Sequence, residues 1–266
     1  MCQLLGLNCN HPTDATFSFS GFTRRAGITD HHSDGWAIAF FEGQPEARGL
    51  RHWVDHLPAS SSPVAELLSR YPIKSRNLIA HIRKATQGVV ALENCHPFHR
   101  SWHGQDWVFA HNGDIKGEIP AGNTYRPVGN TDSEAAFCWI LNTLDGLDPA
   151  PEALSPCASS DLFGLLNRCS THLAGQGIFN CLISNGHWLY AFGGTKLHVI
   201  TRRAPFTMAT LADDDLTVDF SELTTEHDVV TIVSTEPLTT NEQWRALAPG
   251  ESLLLVDGEI VEQAVA

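Results

Sequence analysis

The segment IFNCLISNGHWLYAF, residues 178–192, decides how the chain is read. Two apolar runs, Ile178 to Ser184 and His187 to Phe192, flank Asn185-Gly186. An Asn-Gly pair between such runs is the strongest short hairpin signal, because both residues accept the positive φ that a tight turn demands. Two antiparallel strands are therefore expected. Toward the C-terminus three more strands follow, Leu197 to Thr201, Val229 to Ser234 and Ser252 to Val256, the last turning back at Asp257-Gly258. On the N-terminal side the hairpin is preceded by a helix from Leu162 to Leu173, behind the connecting loop DPAPEALSPCASSD at 148–161. Before that loop, Thr131-Asp132-Ser133-Glu134 forms a Ser/Thr-x-x-Glu capping box ahead of a helical run from Ala135 to Leu144.

Farther out, strands are expected at Gln3 to Asn8, Gly35 to Phe41, Asn77 to Ile82 and Trp107 to His111, with a helix at Ala65 to Arg70. The run Gly-Trp-Ala-Ile-Ala-Phe-Phe at 35–41 is nearly continuous in apolar residues, which suits a strand covered on both faces. The run at 107–111 leads into His-Asn-Gly-Asp, which reads as a sharp turn. Strands, two central helices and strands again predict an α+β protein of stacked sheets with a helical layer. No repeat or strong boundary divides it, so residues 1–266 are read as one domain.

Composition narrows the function. The chain has 266 residues, 42% hydrophobic and 18% charged, so it can bury a large core. Its 17 Lys and Arg against 30 Asp and Glu give a net charge of −13, which argues against tracking nucleic-acid phosphates or an anionic membrane surface. MCQLLGLNCN lacks a basic n-region, and the uncharged stretch 173–195 is interrupted by polar residues, so neither a signal peptide nor a membrane span is expected. Seven cysteines, at 2, 9, 95, 138, 157, 169 and 181, are odd in number and show no Cys-x-x-Cys pair, which predicts a reducing cytoplasm and mostly inert thiols.

Cys2 is the exception. If Met1 is removed, its thiol and α-amine share one carbon. A free α-amine has a pKa of about 7.7–8 and a thiol about 8.5, so the amine can take the thiol proton without a histidine.

Four further motifs follow in order: His81-Ile82-Arg83-Lys84-Ala85-Thr86, Glu93-Asn94-Cys95-His96-Pro97-Phe98, Ala110-His111-Asn112-Gly113-Asp114-Ile115, and Thr131-Asp132-Ser133-Glu134. With Met1-Cys2 in front, the set resembles the class-II glutamine amidotransferases, an N-terminal-nucleophile (Ntn) hydrolase family. The recognisable motifs lie in residues 2–145, with 146–266 expected to complete the sheets and helices. The SDGWAIAF stretch and STEPLTTNEQW are similar to stand-alone members that have only the glutaminase domain. The resemblance implies a four-layer αββα sandwich of two antiparallel sheets.

It also implies roles. Cys2 is the nucleophile, and Asn112 and Gly113 supply the oxyanion hole. Arg83 holds the substrate carboxylate through its planar fork, and Asp132 holds the ammonium. Thr86 and His96 shape the glutamine pocket, and Arg25 supports the N-terminus. Plainer readings compete: Asn112-Gly113 as a hairpin turn, Asp132 as a first-turn helix acid, Arg83 as a surface arginine. Lys84 stands where synthase domains often have an aromatic, Gln87 where they often have His, and Ala37 where Gly is frequent; the first two leave substrate detail open. The spacing of His96, His99, His103 and His111 is loosely ligand-like, but no carboxylate or cysteine completes it, and no metal or cofactor is expected. His31-His32, beside Asp30 and Asp34, reads as a solvated turn.

The expected activity is attack of Cys2 on the γ-amide of glutamine or a γ-glutamyl compound, giving a thioester and releasing ammonia or an amine. Two alternatives stay open: a hydrolase of γ-glutamyl peptides or thiol metabolites, and a non-catalytic γ-glutamyl-binding protein. With no P-loop or Rossmann fingerprint before Ala266, ammonia is expected to reach solvent or an acceptor subunit.

Overall fold

The computed structural model describes residues 2–29, 32–44, 47–85, 88–146, 159–221 and 225–265. The first half of the chain forms β1 (Gln3–Asp14), α1 (Thr16–Arg24), β2 (Trp36–Gln44), β3 (Ala47–Asp55), α2 (Pro63–Leu68), β4 (Lys74–Ile82), β5 (Phe98–Trp102), β6 (Gln105–Ile115) and α3 (Asp132–Asp145). The second half forms α4 (Ser159–Ala174), β7 (Gly177–Ser184), β8 (Trp188–Gly193), β9 (His198–Arg203), β10 (Met208–Thr210), β11 (Thr217–Asp219), β12 (Val229–Ser234), β13 (Arg245–Ala246), β14 (Glu251–Val256) and β15 (Glu259–Val265).

Two large antiparallel sheets result, one ordered β13-β9-β12-β1-β4-β2-β3 and the other β15-β14-β8-β7-β6-β5, while β10 and β11 pair as a separate two-stranded ribbon. Period-two alternation assigns each strand's faces. Leu4, Ala39 and Ile79 from the first sheet meet Val108, Ala110, Leu182, Leu189 and Leu253 from the second in one buried layer. The opposite faces carry Leu5, Leu7, Ile38, Phe40, Leu78 and Ala80 against α1 and α2, and Trp107, Phe109, Phe179, Ile183, Trp188 and Tyr190 against α3 and α4. Helix, sheet, sheet, helix is the expected αββα sandwich. Strands in such a stack are covered on both sides, which explains why their sequences read as continuous apolar runs rather than alternating ones. Among the described residues no helix is long and apolar enough to cross a membrane.

The quoted hairpin joins β7 to β8, with Gly186 at φ 87°, where a Cβ would stand 2.6 Å from the Phe41 ring. Asp257 and Gly258 both have positive φ, 47° and 80°, as a two-residue turn between β14 and β15 requires.

Three expectations change. The Asn112-Gly113 pair is no turn: β6 runs on to Ile115, with Asn112 opposite Asn180 and Gly113 opposite Phe179 on β7. A Cβ on residue 113 would lie 1.8 Å from the Ile178 carbonyl oxygen, so the close neighbouring strand demands glycine here. The capping box is half made. Thr131 Oγ1 accepts the Glu134 N–H at 3.2 Å, but the Glu134 carboxylate accepts from Gly129 N at 2.7 Å and pairs with Arg100. Seven elements, α1, β3, β5, β10, β11, β13 and β15, are not expected from the sequence; β3, β5, β13 and β15 are sheet-edge strands with weaker apolar patterning, and β10, β11 and β13 are only two or three residues long. The expected loop at 148–161 and Cys157 fall mostly outside the described residues, which resume at the start of α4.

Candidate active site

Cys2 precedes β1, a central strand of the seven-stranded sheet, and β1 lies beside β4 with Gln3 opposite Ile82. That register brings the residues just beyond β4 to the thiol. Lys84 donates its N–H to Cys2 Sγ at 3.3 Å, and its carbonyl stands 3.3 Å from the same sulfur to accept the thiol proton. Burial pushes the Cys2 thiol up from its ordinary value, and the Lys84 backbone bond opposes it.

Cys2, Arg83, Lys84, Ala85, His96, His111, Gly113, Thr131, Asp132 and Ser133 line one cleft. Arg83 is buried, and its guanidinium donates to the carbonyls of Val89 at 3.0 Å and Gly88 at 3.4 Å. Gly88 and Val89 thus hold the guanidinium through their backbone. Asp132 opens α3. Its Oδ2 accepts the Ile115 N–H at 2.8 Å, which ties the helix start to the end of β6. Asp132 thus occupies a first-turn helix position and lines the cleft at the same time.

Behind the cleft three histidines are buried together. His96 stacks on His81 at 4.2 Å and holds Nδ1 3.0 Å from the His111 carbonyl. His111 Nε2 stands 3.2 Å from the Ile178 carbonyl, and its Nδ1 stands 2.8 Å from Ser133 Oγ. A carbonyl only accepts, so Nε2 carries the proton and Nδ1 accepts from the serine hydroxyl. Burial holds all three imidazoles below their ordinary values, with Asp132 partly opposing that at His111. They are neutral at pH 7. Among the described residues no three His, Cys, Asp or Glu side chains are arranged to hold a metal; His99 faces Asp106 and His103 faces Asp145 instead.

Asn112 is 1% exposed and lies beside Cys2 rather than in the cleft lining. Its Nδ2 donates to the Cys2 carbonyl at 2.6 Å and to Thr235 Oγ1 at 3.3 Å, while its Oδ1 is buried without a hydrogen-bond partner among the described residues. Arg25 sits outside the cleft. It donates to Gln3 Oε1 at 3.4 Å, to the Glu236 and Pro237 carbonyls, and pairs with Asp213 at 2.7 Å. Thr86 lies outside the described residues, as does His31; His32 is buried rather than solvated.

Sequence reasoning missed Thr235, which receives the Leu4 N–H on its hydroxyl at 2.9 Å and donates its own N–H to the Leu4 carbonyl at 3.1 Å. It missed Ser133 as the partner of His111, and Asp34 as the acceptor for Ala85. Thr235 stands in STEPLTTNEQW and Asp34 in SDGWAIAF, so the signal for both lies in stretches that carry the family resemblance.

The profile of the family described as "Glutamine amidotransferases class-II" matches residues 1–266. "Putative glutamine amidotransferase YafJ" of Escherichia coli (strain K12) is 47% identical over 263 residues, covering 98% of this chain and 100% of that protein. The crystal structure of a "predicted glutamine amidotransferase" from Pseudomonas aeruginosa PA01 has a TM-score of 0.74 at 42% identity, covering 98% of this chain and 100% of that one. Glutamine phosphoribosylpyrophosphate amidotransferase from B. subtilis, at 16% identity and TM-score 0.61, covers 99% of this chain and 49% of its own, and supports the fold alone. A profile spanning the whole chain and a relative at this identity leave one assignment: the chain belongs to the class-II glutamine amidotransferases.

Proposed function

We propose that the protein is a glutaminase-type amidohydrolase in which Cys2, made N-terminal by removal of Met1, attacks the γ-amide of glutamine or a γ-glutamyl compound. The observation that carries this reading is the shared cleft, where a thiol, an arginine and a helix-initial carboxylate converge. A bound glutamyl group needs those three. Arg83 pairs the α-carboxylate, Asp132 the α-ammonium, and the γ-carbon then faces Sγ.

The α-amine of Cys2 takes the thiol proton as sulfur adds to the amide carbon. Gly113 N–H meets the developing oxyanion, and Asn112 joins it by giving up its longer bond, the one to Thr235. The protonated amine then returns its proton to the departing ammonia or amine, leaving a γ-glutamyl thioester for water to cleave. Retention of a nucleophile beside the clamp favours turnover over simple binding, since a binder needs only the clamp.

The test is timed labelling by a glutamine analogue with an electrophilic γ-carbon, followed by intact mass, together with turnover of glutamine and a panel of γ-glutamyl amines. Rapid labelling of Cys2 in the processed chain, and slow labelling with Met1 retained, is expected, because an amide nitrogen is no base. Label on another cysteine, or equal rates in both forms, removes the N-terminal nucleophile.

A further inference from the structure

The Ser33-Asp34-Gly35-Trp36 stretch has no part in the chemistry described so far, yet it touches the segment that touches the thiol. Asp34 Oδ2 accepts the Ala85 N–H at 2.8 Å, and Asp34 N–H donates to the Arg83 carbonyl at 3.2 Å. The Gly35 carbonyl accepts the Arg83 N–H at 2.8 Å. Residues 83–85 are thus held along one side by 34–35, while Lys84 between them presents its N–H and carbonyl to Cys2 Sγ. The chain can pass here only as glycine at 35: its φ is 112°, and a Cβ would stand 2.5 Å from Cys95 Sγ and 3.0 Å from the Asp55 carbonyl.

We propose that Asp34 is a positioning residue, whose carboxylate clamps the 83–85 strap against Cys2 and so sets the reactivity of the thiol. The assignment rests on Cys2 being the nucleophile. An N–H to a thiolate is a charge-assisted bond, stronger than the S–H to carbonyl contact it competes with, so a strap held in place favours the reactive form. Other groups face the sulfur too: Arg83 and Lys84 on the strap, Asp132 on α3, and the neutral His96 and His111 at the back of the cleft. Among the described residues, the Asp34 carboxylate is the side chain that bonds the strap's backbone from the β2 side. Its effect passes through Lys84 and Ala85, not through contact with substrate.

The experiment measures the rate of Cys2 alkylation by iodoacetamide against pH in the full chain lacking Met1, for wild type, Asp34→Ala and Asp34→Asn, with peptide mapping to the labelled residue. In Asp34→Ala the labelling midpoint moves to higher pH and the neutral-pH rate falls about five- to tenfold, the size expected for one lost hydrogen bond. kcat falls in step, with KM little changed. Asp34→Asn keeps an acceptor oxygen for the Ala85 N–H and retains most of the wild-type rate. Should the carboxylate act only through its charge, both variants shift together to lower pH, and the proposal fails; unchanged midpoints in both defeat it equally. Where Asp34→Ala does not fold, Asp34→Glu keeps the charge and displaces the oxygens by one methylene, and the same alkaline shift is expected; an unchanged midpoint overturns the clamp. If wild type is alkylated at Cys2 but hydrolyses neither glutamine nor any γ-glutamyl amine, the proposed activity fails while the labelling series still decides the role of Asp34.

Discussion

The two walls of the cleft are built differently. One wall is β6 and α3, where Gly113 sits in full strand register with Phe179 and Asp132 is tied to Ile115 by its own carboxylate. The other is the strap after β4, irregular backbone held by Asp34, with the Arg83 guanidinium held by the Val89 carbonyl. The first wall belongs to the core: His111 is buried between Ser133 and Ile178, and its ring stacks on Phe179 at 4.8 Å. Lys84 on the strap is exposed, and farther along Val89 is 60% and Val90 48% exposed. Changes in the first wall should therefore cost stability and catalysis together. Changes in the strap should alter binding and reactivity while leaving the fold intact.

The sharpest way to break this contrast is Gly113→Ala. A methyl placed 1.8 Å from the Ile178 carbonyl can be relieved only by parting β6 from β7, so an overpacking loss of about 1–3 kcal/mol or more is expected, with activity lost as well. Denaturant unfolding measures it, and a stable, active variant would show that β6 yields more easily than its pairing implies. Asn112→Ala should follow, lowering kcat about 10²–10³-fold, the usual consequence of removing one oxyanion donor. An unchanged kcat with every γ-glutamyl substrate would take Asn112 out of the hole.

Arg83→Ala tests the strap. KM should rise roughly tenfold to a hundredfold, as for a lost charged hydrogen bond, with kcat less affected because the carboxylate is bound alike in ground and transition states. A thermal midpoint falling as far as that of Gly113→Ala would dissolve the distinction between the walls.

A pH effect on stability should belong to the region behind the cleft. His81, His96 and His111 are held neutral by burial, below their ordinary values. The unfolded chain therefore takes up protons at these sites that the folded chain refuses, and stability falls as pH drops below about 6.5, by up to ~1.4 kcal/mol per pH unit for each group that titrates only when unfolded. Unfolding midpoints followed from pH 7 downward check this, and replacing His81 by Phe should flatten the slope. A slope unchanged by that substitution would assign the acid sensitivity elsewhere. The smallest effect expected is from Ser133→Ala, which leaves the His111 Nδ1 acceptor without its donor and costs about 1 kcal/mol of stability in denaturant unfolding.

Much of this was legible in the order of residues. Local signals suffice for the hairpin at Asn185-Gly186, the reversal at Asp257-Gly258 and the Thr131 cap, because each depends on neighbours within a few positions. The five motif segments named the residues that the fold brings to one cleft, apart from Asn112, which stands beside it, and Thr86, which lies outside the described residues. Such signals mislead where the deciding partner is remote. His111-Asn112-Gly113-Asp114 has the chemistry of a turn, yet the strand beside it supplies the Ile178 carbonyl, 65 residues beyond Gly113, and makes the glycine a place of close approach.

What the amino-acid order determined alone was the type of the longer elements and the family: apolar runs that need cover on both faces, and five motif segments in a fixed order. What tertiary structure alone decided was the wiring. That Lys84 meets the Cys2 sulfur, that Asp34 accepts from Ala85, that Thr235 joins Leu4 to Asn112 and that the Ile178 carbonyl sets the His111 tautomer all depend on strand pairings between distant segments. The reason is physical: hydrogen bonds and steric limits act over a few ångströms in space, and only the packed sheets bring these distant residues within that range.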